Sequence, residues 1–446
     1  MRRGGPVRAL AALGLAAFLA GCEGGWFGEK EEPRLPGERI SILDQTADLK
    51  ADPELEGARP TLGPAQEGAW PQPYGGASHS AGHRALSPDP KLAWTIDIGE
   101  GTNQEERRIT YPPVASESAI FTMDAGGKIA AWSLDDGRAI WRVDPTPEEE
   151  EDGFGGGIAY ADGGIYFASG FAEAVKFDAA TGAEQWRSRL STPSRAAPTI
   201  DDGRVFVITV DNRLSALDAA TGRSIWTFDA PPATATLLGG ASPAAADGAV
   251  VAAMTTGEIV AFRAVNGRIT WDDSLTAVRR VGVAEAIPAV RALPVIADGE
   301  VFAVGAAGFA ASIDFATGRR LWDRSIGGPE TPAASGAYLY LVTDNGRLVA
   351  ARRSDGRIAW AVDMREAAGD IDPDDADAYL RVYAGPVIAG GRLFVVRGDG
   401  HLLYFDPADG SLVGRLNLPG ETVLAPIVAN RTLYVLTEAG RLAAYR

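Results

Sequence analysis

The chain has a single cysteine, Cys22, in 446 residues. An internal disulfide is therefore excluded, and so is any site built from two thiolates. Histidine is almost as scarce, with only His79, His83 and His401. Three imidazoles and one thiol are too few for a convincing zinc site. Positive charge is also short. Lys and Arg number 42 against 59 Asp and Glu, giving a formal charge of −17. A surface of that sign repels nucleic acid and anionic headgroups. Long apolar runs are missing too. The run from Ala9 to Ala20 has 12 residues, short of the ~20 that a spanning helix needs. What is plentiful is glycine and proline, 54 and 28 residues. That composition places turns at short intervals and argues against a helix-rich fold.

The N-terminus reads as an address and an anchor. Arg2, Arg3 and Arg8 precede the apolar run, and Leu19-Ala20-Gly21-Cys22 closes it. A basic start, a short apolar core and a small-residue cleavage point make a secretory signal. The last four residues resemble the lipobox of bacterial lipoproteins. That resemblance implies that residues 1–21 are removed and that Cys22 carries the acyl chains, palmitate among them. Each buried CH₂ adds about 0.8 kcal/mol, so several chains make a stable anchor. Glu23 stands where an Asp would imply inner-membrane retention. The implied location is the periplasmic face of the outer membrane. Residues 22–69 are polar and rich in Gly, Pro and Glu, and read as a flexible tether. A short apolar island interrupts it at 35–43.

From residue 70 onward the chain is periodic. Trp141, Trp186, Trp226, Trp271, Trp322 and Trp360 recur at spacings of 45, 40, 45, 51 and 38. Each lies four residues after a glycine: Gly137, Gly182, Gly222, Gly267, Gly318 and Gly356. A seventh unit has Asp409-Gly410, with Gly414 in the tryptophan place. In four units an Asp precedes the glycine by four: Asp178, Asp218, Asp314 and Asp406. Such an Asp can accept backbone N–H bonds two or three residues ahead, and Gly can take positive φ. The pattern is thus a tight reversal between strands, and the tryptophan is a wedge on the following strand. Upstream of each reversal lies a β-hairpin, shown best by Val205 to Leu214 and Leu339 to Leu348. Before that comes a short strand opened by Pro198, Pro294, Pro386 or Pro426. Four strands, a to d, in units of 40–50 residues predict propeller blades.

The last unit sets the count at eight. Residues 433–446 supply strands b and c, and the chain stops where strand d would follow. Leu92 to Asp97, with Trp94, reads like the d strands elsewhere. The expectation is an all-β, eight-bladed propeller over 70–446, closed by its N-terminal strand, with no open sheet edge at the joint.

The repeat Ala-x-Asp-x-x-Thr-Gly-x-x-x-Trp resembles that of pyrroloquinoline-quinone-type propellers. With the lipobox, the single-domain length and eight units, it resembles the BamB family, lipoproteins of the outer-membrane β-barrel assembly machinery. The resemblance implies a non-enzymatic scaffold that binds BamA and assists insertion of outer-membrane proteins. It implies no cofactor and no small-molecule substrate. The competing class is a quinoprotein dehydrogenase, whose members carry a vicinal Cys-Cys and a calcium site. This chain has no second cysteine and no plain cluster of calcium ligands. A surface-anchored binding or adhesive propeller shares the fold.

Partner contacts belong on long, variable connections. Those are the d-to-a loops at 143–157, 229–242, 272–294 and 363–386. In the BamB family, loops entering the fourth and fifth units contact BamA. A Leu-Arg-Gly element there falls on Leu237, Leu238 and Gly239, with Leu238 departing from the arginine. Acidic positions of the next loop fall on Ala289 and Arg291. Arg279, Arg280 and Arg291 add basic spots to an acidic protein. The acidic insertions 145–152 and 370–377 read as solvated loops, since the second lacks the spacing of a calcium-binding loop. His79 and His83 fall in the lead-in to the first strand, and His401 in a b–c hairpin; none is assigned a metal.

Overall fold

The computed structural model describes residues 49–103, 107–147, 155–231, 240–275, 292–305, 308–369 and 382–446. Within them the strands form eight four-stranded antiparallel sheets arranged as the blades of a propeller. In chain order the blades span 114–143, 156–189, 199–229, 244–274, 295–324, 333–363, 383–417 and 427–445. The last is completed by Leu92–Asp97, which pairs antiparallel with Arg441–Tyr445.

Blade 3 shows why the sequence folds this way. Its strands a to d are Thr199–Asp201, Arg204–Ile208, Arg213–Asp218 and Ser224–Asp229. Between a and b, Asp202 and Gly203 have φ of 44° and 71°. Those are the two left-handed residues of a type I′ hairpin turn. Strands b and c are apolar and buried nearly throughout, because neighbouring sheets cover both their faces. Strand d alternates between exposed and half-buried residues, with one face toward the next blade and one toward water.

Between c and d, Asp218 does what its spacing predicts. Its Oδ1 accepts the Thr221 N–H at 2.8 Å and the Thr221 hydroxyl at 2.7 Å. Asp178 and Asp314 make the same pair of bonds with Thr181 and Thr317. The threonine hydroxyls, then the backbone donors, hold these carboxyls below the usual range.

The tryptophan and the glycine of the repeat act across blades. Trp226 Nε1 donates to the Ala264 carbonyl of the next blade at 2.8 Å. Trp141, Trp186, Trp271 and Trp360 reach Ala179, Ala219, Phe315 and Pro407 in the same way, at 2.8–3.1 Å. The ring lies on the next turn's glycine. A Cβ on Gly267 would sit 2.6 Å from the Trp226 ring. Gly267 also has φ of 69°. Two demands, a left-handed turn and a flat seat for an indole, therefore coincide on one residue.

Within a blade, size is balanced across the strands. Phe206, Ala216 and Trp226 face one another on b, c and d, as do Tyr340, Ala350 and Trp360. A small central residue leaves room for the indole beside the outer aromatic, with centroids 6.1 and 6.0 Å apart. Blade 7 inverts the arrangement. Tyr404 stands on strand c opposite Gly414, and its ring lies 5.8 Å from Phe394. The exception has a cause. Blade 7 is followed by blade 8, which has no c–d turn, because its strands c and d come from opposite ends of the chain. There is no turn glycine there for a tryptophan to cover. At that joint Lys91 and Arg446 exchange backbone bonds of 2.7 and 2.9 Å.

The stretch 49–69, which composition places in the tether, lies against the blades. Leu49 is buried with Phe302, Trp322 and Leu339, and Leu55 with Tyr340, Trp360 and Leu403. The Asp52 N–H bonds the Ile358 carbonyl at 2.8 Å. Arg357 pairs with Asp52 and Glu54.

Candidate functional site

Each a strand pairs with b on one edge and turns the other toward the propeller axis. Backbone groups on that second edge need partners. Residues 63–86 supply them, and they engage every blade. Trp70 and Ala115 of blade 1 exchange bonds of 2.9 and 2.8 Å. In blade 2 the Tyr160 N–H bonds the Pro71 carbonyl at 2.7 Å. In blade 3 the Gln72 amide accepts the Ile200 N–H and donates to the Ile200 carbonyl, both at 2.9 Å. Ala77 and Ser78 carbonyls accept from Ala245 and Ile296 of blades 4 and 5, at 2.8 and 2.9 Å. The Gly63 N–H donates to Ser335 Oγ of blade 6 at 3.0 Å. Arg84 bonds Ile388 and Gly390 of blade 7 at 2.8 and 2.9 Å, and the Gly68 carbonyl accepts from Asn430 of blade 8 at 2.9 Å.

These contacts all fall within about two residues of the a–b turns. Residues 63–86 thus form one layer across that mouth of the axis. They arrive beside the a–b turn of blade 6, where a Cβ on Gly336 would meet the Thr61 carbonyl at 2.7 Å. They leave beside the a–b turn of blade 7, where Gly390 abuts the Leu86 carbonyl. The segment therefore enters and leaves on the same face. From the opposite end, Tyr111 reaches inward. Its hydroxyl donates to the Gly240 carbonyl at 2.7 Å, and its ring packs with Ala77 on the cluster of Ala196 and Ala245. The a–b mouth of the axis is capped by the chain itself.

The histidines belong to this plug or to a turn. His79 is 2% exposed and Nδ1 lies 2.9 Å from the Pro294 carbonyl. Nδ1–H donates to that carbonyl, and burial keeps the ring neutral. Burial lowers its pKa to about 4, against the opposing pull of that carbonyl. His83 bonds the Gly63 carbonyl through Nδ1 and accepts the Gly391 N–H at Nε2, both at 2.9 Å. His401 Nδ1 lies 2.9 Å from Asp399. Among the described residues, no group of three or more His, Cys, Asp or Glu is placed to hold a metal ion. No helix among them is long and apolar enough to cross a membrane.

Cys22, Leu237, Leu238, Gly239, Arg279, Arg280 and Arg291 lie outside the described residues, as do the island 35–43, the insertion 370–377 and most of 145–152. The roots of the two long loops are described. Gly240 donates to the Arg195 carbonyl at 2.9 Å. Leu293 donates to Thr331 Oγ1 at 2.9 Å. Both loops lead from a d strand into the a strand of the next blade, Ala244–Ala246 and Val295–Ala297, so their roots stand on adjacent blades of the same face. Gln72 and Tyr111 escaped the sequence reading. The only cue to them is a polar or aromatic side chain in a Pro- and Gly-rich stretch.

Fold and axis together define a class: a closed eight-bladed propeller with quinoprotein-type repeats whose axis is capped at one mouth by its own chain. The family model described as "Outer membrane protein assembly factor BamB" matches residues 125–362 and 368–446. The chain belongs to that family. It is 24% identical over 363 residues to the outer membrane protein assembly factor BamB of Yersinia pestis, covering 80% of this chain and 88% of that one. The Escherichia coli K12 protein of the same name is 24% identical over 360 residues, with 79% and 87% covered. Among solved structures, BamB from Moraxella catarrhalis superposes with a TM-score of 0.66 at 20% identity, over 80% of this chain and all of that one. Quinohemoprotein alcohol dehydrogenase from Comamonas testosteroni gives 0.63 at 15% identity, over 84% and 80%. At such identities the structural likenesses speak for the fold alone.

Proposed function

We propose that this chain is a non-enzymatic scaffold of the outer-membrane β-barrel assembly machinery, held at the periplasmic face of the outer membrane by acyl chains on Cys22. Residues 1–21 are its signal, and the body docks the periplasmic domains of BamA. Family membership carries the reading, and the capped axis is compatible with it. Each of the eight blades bonds residues 63–86 beside its a–b turn, so the chain itself closes that mouth. A quinoprotein dehydrogenase would need an enclosed cofactor site elsewhere.

The docking face is the one that carries the d–a connections and b–c hairpins. Its proposed centre is Leu237, Leu238 and Gly239, with Arg279, Arg280 and Arg291 around it. Adjacent loop roots at Gly240 and Leu293 support a single patch. A few central residues dominate such interfaces, each contributing ~2 kcal/mol or more on truncation. Leu237→Ala with Leu238→Ala should therefore weaken binding to the periplasmic domains of BamA at least tenfold, with unchanged melting. Titration of the purified body measures it. Wild-type affinity would place the docking surface elsewhere. Oxidation of alcohols with added pyrroloquinoline quinone would overturn the scaffold reading itself.

A further inference from the structure

The order of three neighbouring segments matters. First come residues 49–62, strapped along blades 5 to 7 through Leu49, Leu55 and the Arg357 pairs. Then come residues 63–86, bonded to all eight blades. Only then does the chain reach Leu92–Asp97, the strand that closes the ring.

That closing strand is mechanically the weakest part of the circle. It pairs with one neighbour only, Arg441–Tyr445, and its other edge faces outward. Its first residues lie beside the C-terminal end of the partner, where Lys91 and Arg446 exchange their bonds. A pull applied just before Leu92 would break the ladder one bond at a time from that end. A pull applied before Leu49 meets a different arrangement. It must first dislodge two buried leucines and an ion-pair cluster. It then meets bonds spread around the whole ring, with the Gln72 amide and the Arg84 backbone each held twice. Bonds loaded together resist more force than bonds opened in turn.

We propose that residues 49–86 are a strain-relief anchorage. They transfer load arriving from the N-terminal side onto the body of the propeller and keep it off the closing strand. The proposal takes from the functional reading only that residue 22 is where the load enters. It would hold for any attachment upstream of Leu49.

The test is single-molecule pulling on the full chain, made by cell-free synthesis without membranes so that it is neither exported nor acylated and Cys22 keeps its thiol. One handle is attached at Cys22 and the other after Arg446. In the comparison protein Cys22→Ser is combined with Asp89→Cys, an exposed site between the plug and the closing strand. Both proteins should melt alike. The force that opens the ring should be at least twofold lower when the load enters at residue 89. Leu49→Ala and Leu55→Ala with Gln72→Ala, pulled from Cys22, should bring the force toward that lower value. Equal forces from the two attachment points, or a lower force from Cys22, would overturn the proposal. Since the pulled protein is not acylated, that result is separate from whether Cys22 is lipidated in the envelope.

Discussion

Blade 7 allows the size balance across the strands to be tested by exchange. In six blades the residue facing the tryptophan is Ala or Ser: Ala131, Ala216, Ala261, Ser312, Ala350 and Ala444. In blade 7 Tyr404 faces Gly414, and a Cβ on Gly414 would lie 2.3 Å from the tyrosine oxygen. Gly414→Trp alone must push Tyr404 aside, an overpacking that costs about 1–3 kcal/mol. Tyr404→Ala alone removes the ring that packs on Phe394. Tyr404 is only half-buried, so its loss falls near ~3 kcal/mol, the low end for a core aromatic. Together the two changes restore the pattern of Tyr340, Ala350 and Trp360. The restoration is incomplete, because blade 8 offers the indole N–H no turn carbonyl. The double variant should therefore sit about 1–2 kcal/mol below wild type, well above the sum of the single losses, with a coupling of about 2–5 kcal/mol. Urea midpoints of the four proteins, followed by tryptophan fluorescence, measure it. Additive losses would refute the claim that the Tyr–Gly pair stands in for the small residue and tryptophan of the other blades.

His79 predicts a pH dependence. Its folded pKa of about 4 lies below the ordinary value of 6.5, so the unfolded chain binds the proton more readily between those values. Stability should be full above about pH 6.5 and fall by about 3 kcal/mol as pH drops to 4. Denaturation midpoints across that window should lose this slope in His79→Gln, and an unchanged slope would assign it to other groups. Thr221→Ala removes the main cause of the lowered Asp218 carboxyl. NMR titration should find that carboxyl shifted up, and affinity for BamA should not change, since the proposed docking patch is on the opposite face. Cys22→Ala should release the protein from the membrane pellet, whereas unchanged pelleting in high salt, with no acyl mass on the wild type, would remove the anchor.

The parts of the fold that were legible share one property, which is that a side chain has to be of a particular kind. An Asp that caps its own turn, a glycine at positive φ and an indole that bridges to the next blade all leave marks at fixed spacing. They gave the blade count and the closure by Leu92–Asp97. Even the missing tryptophan at Gly414 follows from the missing turn in blade 8. The plug is different. Most of its bonds to the blades run through backbone carbonyls and amides, at Pro71, Ala77, Ser78 and Gly68 among others. Almost any residue offers those groups, so the sequence carries little trace of them. Leu49 and Leu55 likewise fill gaps between blades one at a time. Isolated leucines in a polar stretch show no period, and composition alone reads them as tether. For the docking patch the sequence offered only family position, since the loops at 232–239 and 276–291 have no repeat to read.

This division bears on how scaffold and enzyme diverge on one fold. The repeat sets the blades, and the fold they build superposes on an assembly factor and on an alcohol dehydrogenase with TM-scores of 0.66 and 0.63. The fold therefore cannot decide between them. Backbone edges that face a cavity can orient a ligand. In this chain Trp70, Gln72 and Arg84 take up such groups at the turn ends of three a strands, so that mouth of the axis is occupied by the chain itself. The same segment, residues 63–86, lies between the proposed anchor and the closing strand, so it both caps the axis and, with residues 49–62, takes up the proposed load.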